Sequence, residues 1–117
     1  MATRRELERF WKRFGVGRST AYEQGLGYIK VYPHLSLDNL FQLAIPRICD
    51  KPEIRFRQGY PFMNTLHCLV LTHLPSGCTQ SYESHVKSRA FCEKSCAEAL
   101  YKTIRRADIL GGKHANT

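Results

Sequence analysis

The sequence predicts an α+β domain with a mostly antiparallel sheet and helices packed on one face of that sheet. The first observation behind this prediction is periodicity, because some segments have the apolar spacing of amphipathic helices and others have strand-like composition or alternation. The second is their order along the chain, which is helix, strand, helix, three strands, helix. The third is size: 117 residues, 43% of them hydrophobic, fit one compact domain over 1–117 with a real core.

Residues 3–14 have the pattern of a short basic, aromatic helix. Thr3 and Glu6 form a T-x-x-E capping box at its start. Four apolar side chains recur at i, i+3, i+4 and i+7, which places them on one face: Leu7, Phe10, Trp11 and Phe14. The segment 15–27 carries four glycines and is predicted to be loop or irregular structure.

A strand and a second helix are predicted next. In the strand 28–32, alternation places Tyr28, Lys30 and Tyr32 on one side and Ile29 and Val31 on the other. Ser36 can cap the following helix, and Pro46 should end or kink it because proline lacks the required N–H. The apolar stripe of this helix comprises Leu37, Leu40, Phe41, Ala44, Ile45 and Ile48.

The second half of the chain predicts three strands and a final helix. The strands cover 53–58, 65–73 and 79–86, of which 65–73 is apolar and central, and 74–77 has turn chemistry. In 53–58, Ile54 and Phe56 face inward while Arg55 and Arg57 face outward.

The final helix is predicted from a cap at Ser88 to about Ile109, with a frayed tail over 110–117 after it. Its predicted core stripe is Cys92, Cys96, Ala99, Leu100, Thr103 and Ala107. The opposite side carries Lys94, Tyr101 and Arg105.

Charge points to a polyanionic ligand. Lys and Arg number 18 against 10 Asp and Glu, and the formal net charge is +8. A membrane surface is the rival polyanion, but no apolar run approaches the ~20 residues of a spanning helix. No signal peptide is visible, so we expect a protein without a membrane segment in a cytoplasm or nucleus.

The outward faces of two predicted strands combine cations with aromatic rings, which suits a phosphate backbone. The residues concerned are Tyr28, Lys30, Tyr32, Arg55 and Arg57. The alternative is an ordinary solvated sheet face. A second candidate is the start of the last helix, where free N–H groups and a positive dipole end suit a phosphate. It comprises Lys87, Ser88 and Arg89, with Lys94 further along; the alternative is a capped helix with routine surface cations.

Trp11 is the single tryptophan, and two roles are open for it. It can stack on a terminal base pair, with Arg13 in a phosphate-attracting rim. It can equally be a buried residue on the amphipathic face of the first helix.

The five cysteines are odd in number and scattered in spacing, which indicates free thiols in a reducing compartment. Cys92 and Cys96 could share a metal at i, i+4, but they lie on the predicted core stripe, and small buried thiols are the preferred interpretation. No catalytic pair or phosphate-binding glycine loop is present, so we expect neither an enzyme nor a cofactor.

The segment from Leu37 to Ile104 resembles a double-stranded RNA-binding domain. The order helix, three strands, helix is that of the family, and S-R-A-F-C-E-K-S-C-A-E-A-L, residues 88–100, is similar to the start of its last helix. Of the phosphate-binding positions at that helix start, Arg89 and the offset Lys94 match in kind, whereas Ala90 and Glu93 stand where lysine is usual.

The whole chain is similar in layout to the small viral suppressors of RNA silencing of tombusviruses and aureusviruses. The resemblance rests on F-G-V-G-R, ending at Arg18, on I-R-F-R over 54–57, and on the Trp-bearing first helix. It implies a homodimer that binds double-stranded RNA, including small interfering duplexes, in the host cytoplasm, with Trp11 as the residue to which the group's tryptophan role carries over. Two alternatives stay open: a ribosomal or ribonucleoprotein assembly protein, and a zinc-dependent interaction module.

Overall fold

The computed structural model of the protein describes residues 3–47, 52–73 and 76–111. In chain order the regular elements are α1 (Arg4–Arg13), β1 (Ser19–Glu23), β2 (Gly27–Val31), α2 (Leu37–Asn39), β3 (Glu53–Gln58), β4 (Thr65–His73), β5 (Thr79–Lys87) and α3 (Glu93–Gly111). The strands form a two-stranded sheet, β1-β2, and a three-stranded sheet, β3-β4-β5, and every pairing is antiparallel. The predicted α+β class is confirmed.

The start of α1 is set by the predicted capping box. The Thr3 hydroxyl accepts a hydrogen bond from the Glu6 backbone N–H at 3.2 Å, and the Glu6 carboxylate accepts one from the Thr3 N–H at 3.3 Å. Hydrogen bonding of the Glu6 carboxylate, first to the Thr3 backbone N–H and then to the Thr3 side chain, lowers the pKa of Glu6. The predicted helix is therefore confirmed, with its regular part ending at Arg13.

The prediction of a loop over 15–27 is wrong for residues 19–23, which form β1, and for Gly27, which begins β2. β1 pairs with β2 as a hairpin, in which Glu23 lies opposite Gly27 and a three-residue loop joins the strands. Gly25 and Gly27 have φ values of 88° and 77°, in the left-handed region that glycine enters at little cost. Two of the four glycines that suggested an irregular loop, Gly25 and Gly27, therefore form a tight turn between two strands.

The second helix changes its winding along its length. Ser36 caps it as predicted, because its hydroxyl accepts from the Asn39 N–H at 3.1 Å. A π-helical turn over Leu40–Ala44 follows α2, and a 3₁₀ turn over Ile45–Arg47 contains Pro46. The i→i+5 bonding changes the angular spacing of the side chains, so Phe41 is exposed and Leu43 packs on the core in its place. Ile48 of the predicted stripe lies outside the described residues.

The three-stranded sheet is confirmed as predicted, with β4 at its centre. Each inward residue of β3 pairs across to a buried residue of β4: Ile54 with Val70 and Phe56 with Cys68. β5 extends one residue beyond the prediction, to Lys87. Residues 74 and 75 of the predicted turn lie outside the described residues.

The last helix begins at Glu93, five residues after the predicted cap, and the Ser88 prediction is wrong. The Ser88 hydroxyl donates to the Ala90 carbonyl at 2.8 Å and accepts from the Ala90 N–H at 3.2 Å, so it closes a turn of its own. The helix runs to Gly111, and 112–117 of the predicted tail lie outside the described residues.

α3 packs on β4 and β5 and covers one face of the three-stranded sheet. A buried hydroxyl pair joins helix to sheet, since the Ser84 and Thr103 hydroxyls are 2.6 Å apart and the Ala99 carbonyl lies within 3.2 Å of both. Each hydroxyl has one proton, so one hydroxyl donates to the other and the second donates to the carbonyl. Tyr101, predicted on the outer side of α3, is only 6% exposed. Its ring lies 4.8 Å from that of Phe10, and this contact between α1 and α3 is why the prediction is wrong.

Candidate nucleic-acid interface

The outer face of the β1–β2 hairpin presents two tyrosines and a lysine to solvent. Tyr22 and Tyr28 are opposite each other, with their ring centroids 5.4 Å apart in an edge-to-face arrangement. Thr20 and Lys30 form the next pair on this face, because side chains alternate along a strand. The predicted pairing of Tyr28 with Lys30 on one exposed face is therefore confirmed, and Tyr22 joins them.

Tyr32 departs from the predicted face. β2 ends at Val31, so Tyr32 lies outside the strand whose alternation predicted an outward-facing side chain for it. Its side chain is partly buried and packs against the hydrophobic core. Tyr32 is consequently a wall of the neighbouring groove and not a member of the exposed hairpin face.

A groove of about 700 Å³ lies between α1 and the hairpin. Its basic lining residues are Arg4, Lys12, Arg18, Lys30 and His34. Two carboxylates, Glu8 and Glu23, also line it, and Glu8 is 3.6 Å from Arg4 in an ion pair. Cations thus exceed anions along the groove, which suits a phosphate-bearing ligand. Arg13 is exposed at the end of α1, next to Lys12 in the chain, but it does not line the groove.

The outer face of the three-stranded sheet carries the predicted arginines. Arg55 and Arg57 are exposed, and Ile54 and Phe56 between them face the core, as the alternation predicted. The Arg57 guanidinium lies over the Tyr60 ring at 4.8 Å, and the Tyr60 ring lies 5.0 Å from that of His67. Arginine and aromatic ring therefore form one connected surface.

Carboxylates offset part of the positive charge on this sheet face. The Arg55 guanidinium donates to the Glu53 carboxylate at 3.0 Å, and the Arg55 side chain stays 66% exposed. His67 and Glu83 are 2.9 Å apart across β4 and β5. An RNA phosphate would compete with the Glu53 carboxylate for Arg55. The Arg57 guanidinium contacts the uncharged Tyr60 ring, which does not compete with a phosphate in this way.

The predicted phosphate site at the start of the last helix is not assembled. Lys87 ends β5, while Ser88 and Arg89 lie in the connection, and α3 begins only at Glu93. Lys94 is exposed in the first turn, but Glu93 beside it directs its carboxylate to the Leu37 N–H at 2.7 Å. Of these four residues, Lys94 lies in the first turn of α3 and Ser88 contacts that turn through the Ser95 hydroxyl at 2.7 Å. Lys87 and Arg89 precede the helix and contribute surface cations.

Trp11 lies in the core. Its side chain has no exposure, and the indole N–H donates to the Pro33 carbonyl at 2.7 Å. Of the two roles left open by the sequence, the structure shows burial. Stacking of Trp11 on a duplex end is therefore wrong, because the ring has no exposed face. The physical reason is that α1 packs its aromatic face inward, with Phe10 at 5.1 Å from Trp11.

The described cysteines are free thiols: Cys68, Cys78, Cys92 and Cys96. Cys96 is buried as predicted, but Cys92 is exposed, because α3 starts after it and its side chain turns to the Ser95 hydroxyl at 3.2 Å. Within residues 3–47, 52–73 and 76–111, no three His, Cys, Asp or Glu side chains are grouped to hold a metal ion.

Sequence reasoning missed Tyr22 and Tyr60. Tyr22 had a usable signal, because S-T-A-Y-E and G-Y-I-K-V are two β-prone segments separated by a glycine-bearing turn. Tyr60 had none, since its contact with Arg57 depends on the path of the loop between β3 and β4.

Comparisons with known proteins found no matching family model, no matching curated protein and no matching solved structure. Among the described helices, none has the length and apolar character needed to cross a membrane.

Proposed function

We propose that the protein binds double-stranded RNA by shape and backbone charge, without catalysis. The observation that carries the proposal is the exposed face of β3, where Arg55 and Arg57 project from a strand whose alternate residues are anchored in the core. Cations on a rigid strand keep a defined spacing, which favours contact with the regular phosphates of a duplex.

The proportions of the molecule support a surface that receives a duplex. The principal extents are 48 × 38 × 20 Å, so the domain is a slab with broad faces. The deep major groove of A-form RNA hides the base edges, and a protein that reads backbone and shape is therefore largely blind to sequence. The net charge of +8 supplies long-range attraction for such a ligand.

A homodimer is part of this proposal. β5 is a nine-residue edge strand of the three-stranded sheet, with one row of backbone groups that β4 does not satisfy. Most of its side chains are exposed. Pairing of two copies along this edge would join their sheets and double the basic surface.

The biological role in this proposal is sequestration of small interfering duplexes in the cytoplasm of a host cell, which suppresses RNA silencing. It rests on the resemblance of the segments ending at Arg18 and spanning 54–57 to the viral suppressors. The exposure of Arg18, Arg55 and Arg57 supports it, because each side chain reaches solvent, although a phosphate at Arg55 would replace Glu53.

The deciding experiment is a gel-shift comparison of duplex RNA, duplex DNA and single-stranded RNA at two salt concentrations. Duplex RNA should bind best, and its affinity should fall steeply with salt, since each neutralised phosphate releases counterions. A flat salt response, or a preference for single strands over duplexes, would contradict the proposal.

The sheet face is tested by the double substitution Arg55→Ala and Arg57→Ala. We expect weaker duplex binding and a salt slope lower by about 2, as two phosphate contacts are lost. The free energy of unfolding should change by less than about 0.5 kcal/mol for each exposed side chain.

A matched control removes the same charge from an exposed part of α1, through Arg5→Ala and Arg9→Ala. Equal losses in the two double mutants would show that net charge alone acts and that the β3 face is not the binding surface. Greater loss on β3 identifies the face.

A further inference from the structure

The hairpin exposes an aromatic pair that the core does not use. Tyr22 is 67% exposed and Tyr28 is 77% exposed, although the two rings are in contact with each other. Leu26, in the turn that joins their strands, is 70% exposed. Single exposed aromatic residues are common, but two rings placed side by side on one strand face make a surface that can take a flat ligand.

Cations lie toward the end of the hairpin that is away from its turn. Lys30 shares the face with the tyrosines, two residues beyond Tyr28 along β2, or about 7 Å away. Lys30 also lines the groove between α1 and the hairpin, as does Arg18. A chain of phosphates leaving the ring pair would therefore meet Lys30 and then the basic groove.

The rings select for a base that is not inside a helix. Within a duplex both faces of every internal base are covered by its neighbours, whereas an unpaired base has a free face for an aromatic side chain. The edge-to-face angle of 69° leaves the outer ring surfaces of the pair uncovered by each other. Aromatic rings with adjacent cations are the usual composition of surfaces that bind single strands.

We propose that Tyr22 and Tyr28 stack on an unpaired base of a single-stranded extension at the end of an RNA duplex, while Lys30 and Arg18 bind the phosphates of that extension. This deepens the proposed function and rests on it, because the duplex itself is held elsewhere, on the β3 face. The ligand class is thus a duplex with a short single-stranded extension.

The test uses three RNAs with one common duplex: blunt, extended by two nucleotides on each strand, and extended by two abasic nucleotides. The abasic extension keeps the added phosphates and removes the bases. The parent protein should bind the normal extension roughly 5- to 150-fold more tightly than the abasic one, which is the usual scale of one stacked base.

Four variants separate stacking from hairpin stability. Tyr22→Ala and Tyr28→Ala should each reduce this preference and leave affinity for the blunt duplex unchanged. Tyr28→Phe should keep it, because the ring is retained. Tyr28→Leu should lose the preference for the normal extension, although leucine still covers the hairpin with an apolar side chain. Loss of this preference at an unchanged melting temperature supports stacking.

Each outcome has a distinct meaning. Equal parent affinity for normal and abasic extensions, or a preference that survives both alanine substitutions, overturns the stacking proposal and leaves duplex binding intact. Equal weakening of blunt and extended duplexes by Tyr28→Ala also overturns it, in favour of a cap on the terminal base pair. If one strand of the extended RNA binds without its complement while the blunt duplex does not bind, the proposed duplex function is overturned and the stacking site is retained.

Discussion

Two aromatic clusters in this small domain have opposite environments. Phe10, Trp11, Phe14 and Tyr101 form a buried cluster between α1 and α3, in which Trp11 has no exposure. Tyr22 and Tyr28 form an equally close pair on the hairpin, with most of each side chain in solvent. Ring centroids are 4.8–5.1 Å apart in the buried cluster and 5.4 Å apart in the exposed pair, so a close ring contact alone does not distinguish a core from a surface.

The difference shows why neighbouring residues in the sequence are a poor guide to an aromatic residue's role. Trp11 is flanked by Arg9, Lys12 and Arg13, which leave a nucleic-acid role open beside burial, yet a carbonyl 22 residues away binds its indole N–H. Tyr28 has fewer cations nearby in sequence and is nevertheless the accessible ring. Partners brought together by folding decide which ring a ligand can reach.

The largest expected effect is on the buried cluster. Trp11→Ala should lower the free energy of unfolding by about 3–5 kcal/mol, because it leaves a cavity and an unsatisfied Pro33 carbonyl. Urea unfolding of the parent and the variant measures this. Duplex affinity should fall by the same factor at every duplex length, and a loss confined to short duplexes would contradict burial.

Cys92, just before α3, and Cys96, within it, extend the comparison to smaller side chains. Cys96 is 3% exposed, so Cys96→Ala should cost about 1 kcal/mol through lost burial and a small cavity. Cys92→Ala is the matched control four residues earlier, and its cost should stay within about 0.5 kcal/mol because the thiol is exposed. Thermal unfolding of both variants is sufficient, and equal costs would contradict the boundary of α3.

The exposed pair should contribute little to stability. Tyr28→Ala should cost about 0.2–1 kcal/mol, the usual worth of a cross-strand pair. Tyr22→Ala should match it, since the contact is shared. A cost as large as that of Trp11→Ala, measured in the same urea series, would show that the hairpin pair is structural and would remove the basis for a ligand there.

The smallest structural effect is expected from chemical modification of Cys92. Hydrogen bonds from the Ser95 hydroxyl and then from its backbone N–H lower the pKa of the Cys92 thiol, whereas burial raises the pKa of Cys68 to about 11. A lower pKa means a larger thiolate fraction at neutral pH, so limited iodoacetamide should label Cys92 well before Cys68. Peptide mass spectrometry gives the order, and equal labelling would contradict the burial of Cys68.

Much of the fold follows from local patterns in the sequence. The capping box at Thr3 and Glu6, the Ser36 cap and the alternation over 53–58 were sufficient to predict α1, α2 and β3, since each acts between residues close in the chain. The exposure of Arg55 and Arg57 was predictable for the same reason: a period of two assigns each side chain to a face.

Tertiary structure decided the rest of the candidate site. The pairing of Tyr22 with Tyr28 needs the hairpin register, and the contact of Arg57 with Tyr60 needs the loop path. The start of α3 at Glu93 was likewise not evident from the chain, where Ser88 forms a separate turn. Sequence by itself determined most of the helical and extended segments, with β1 and the start of α3 as exceptions, and how much positive charge the domain carries. Only the packing of α1 against α3 and Pro33 determined that Trp11 is buried, because a hydrogen bond or contact between distant segments leaves no periodic trace in the chain.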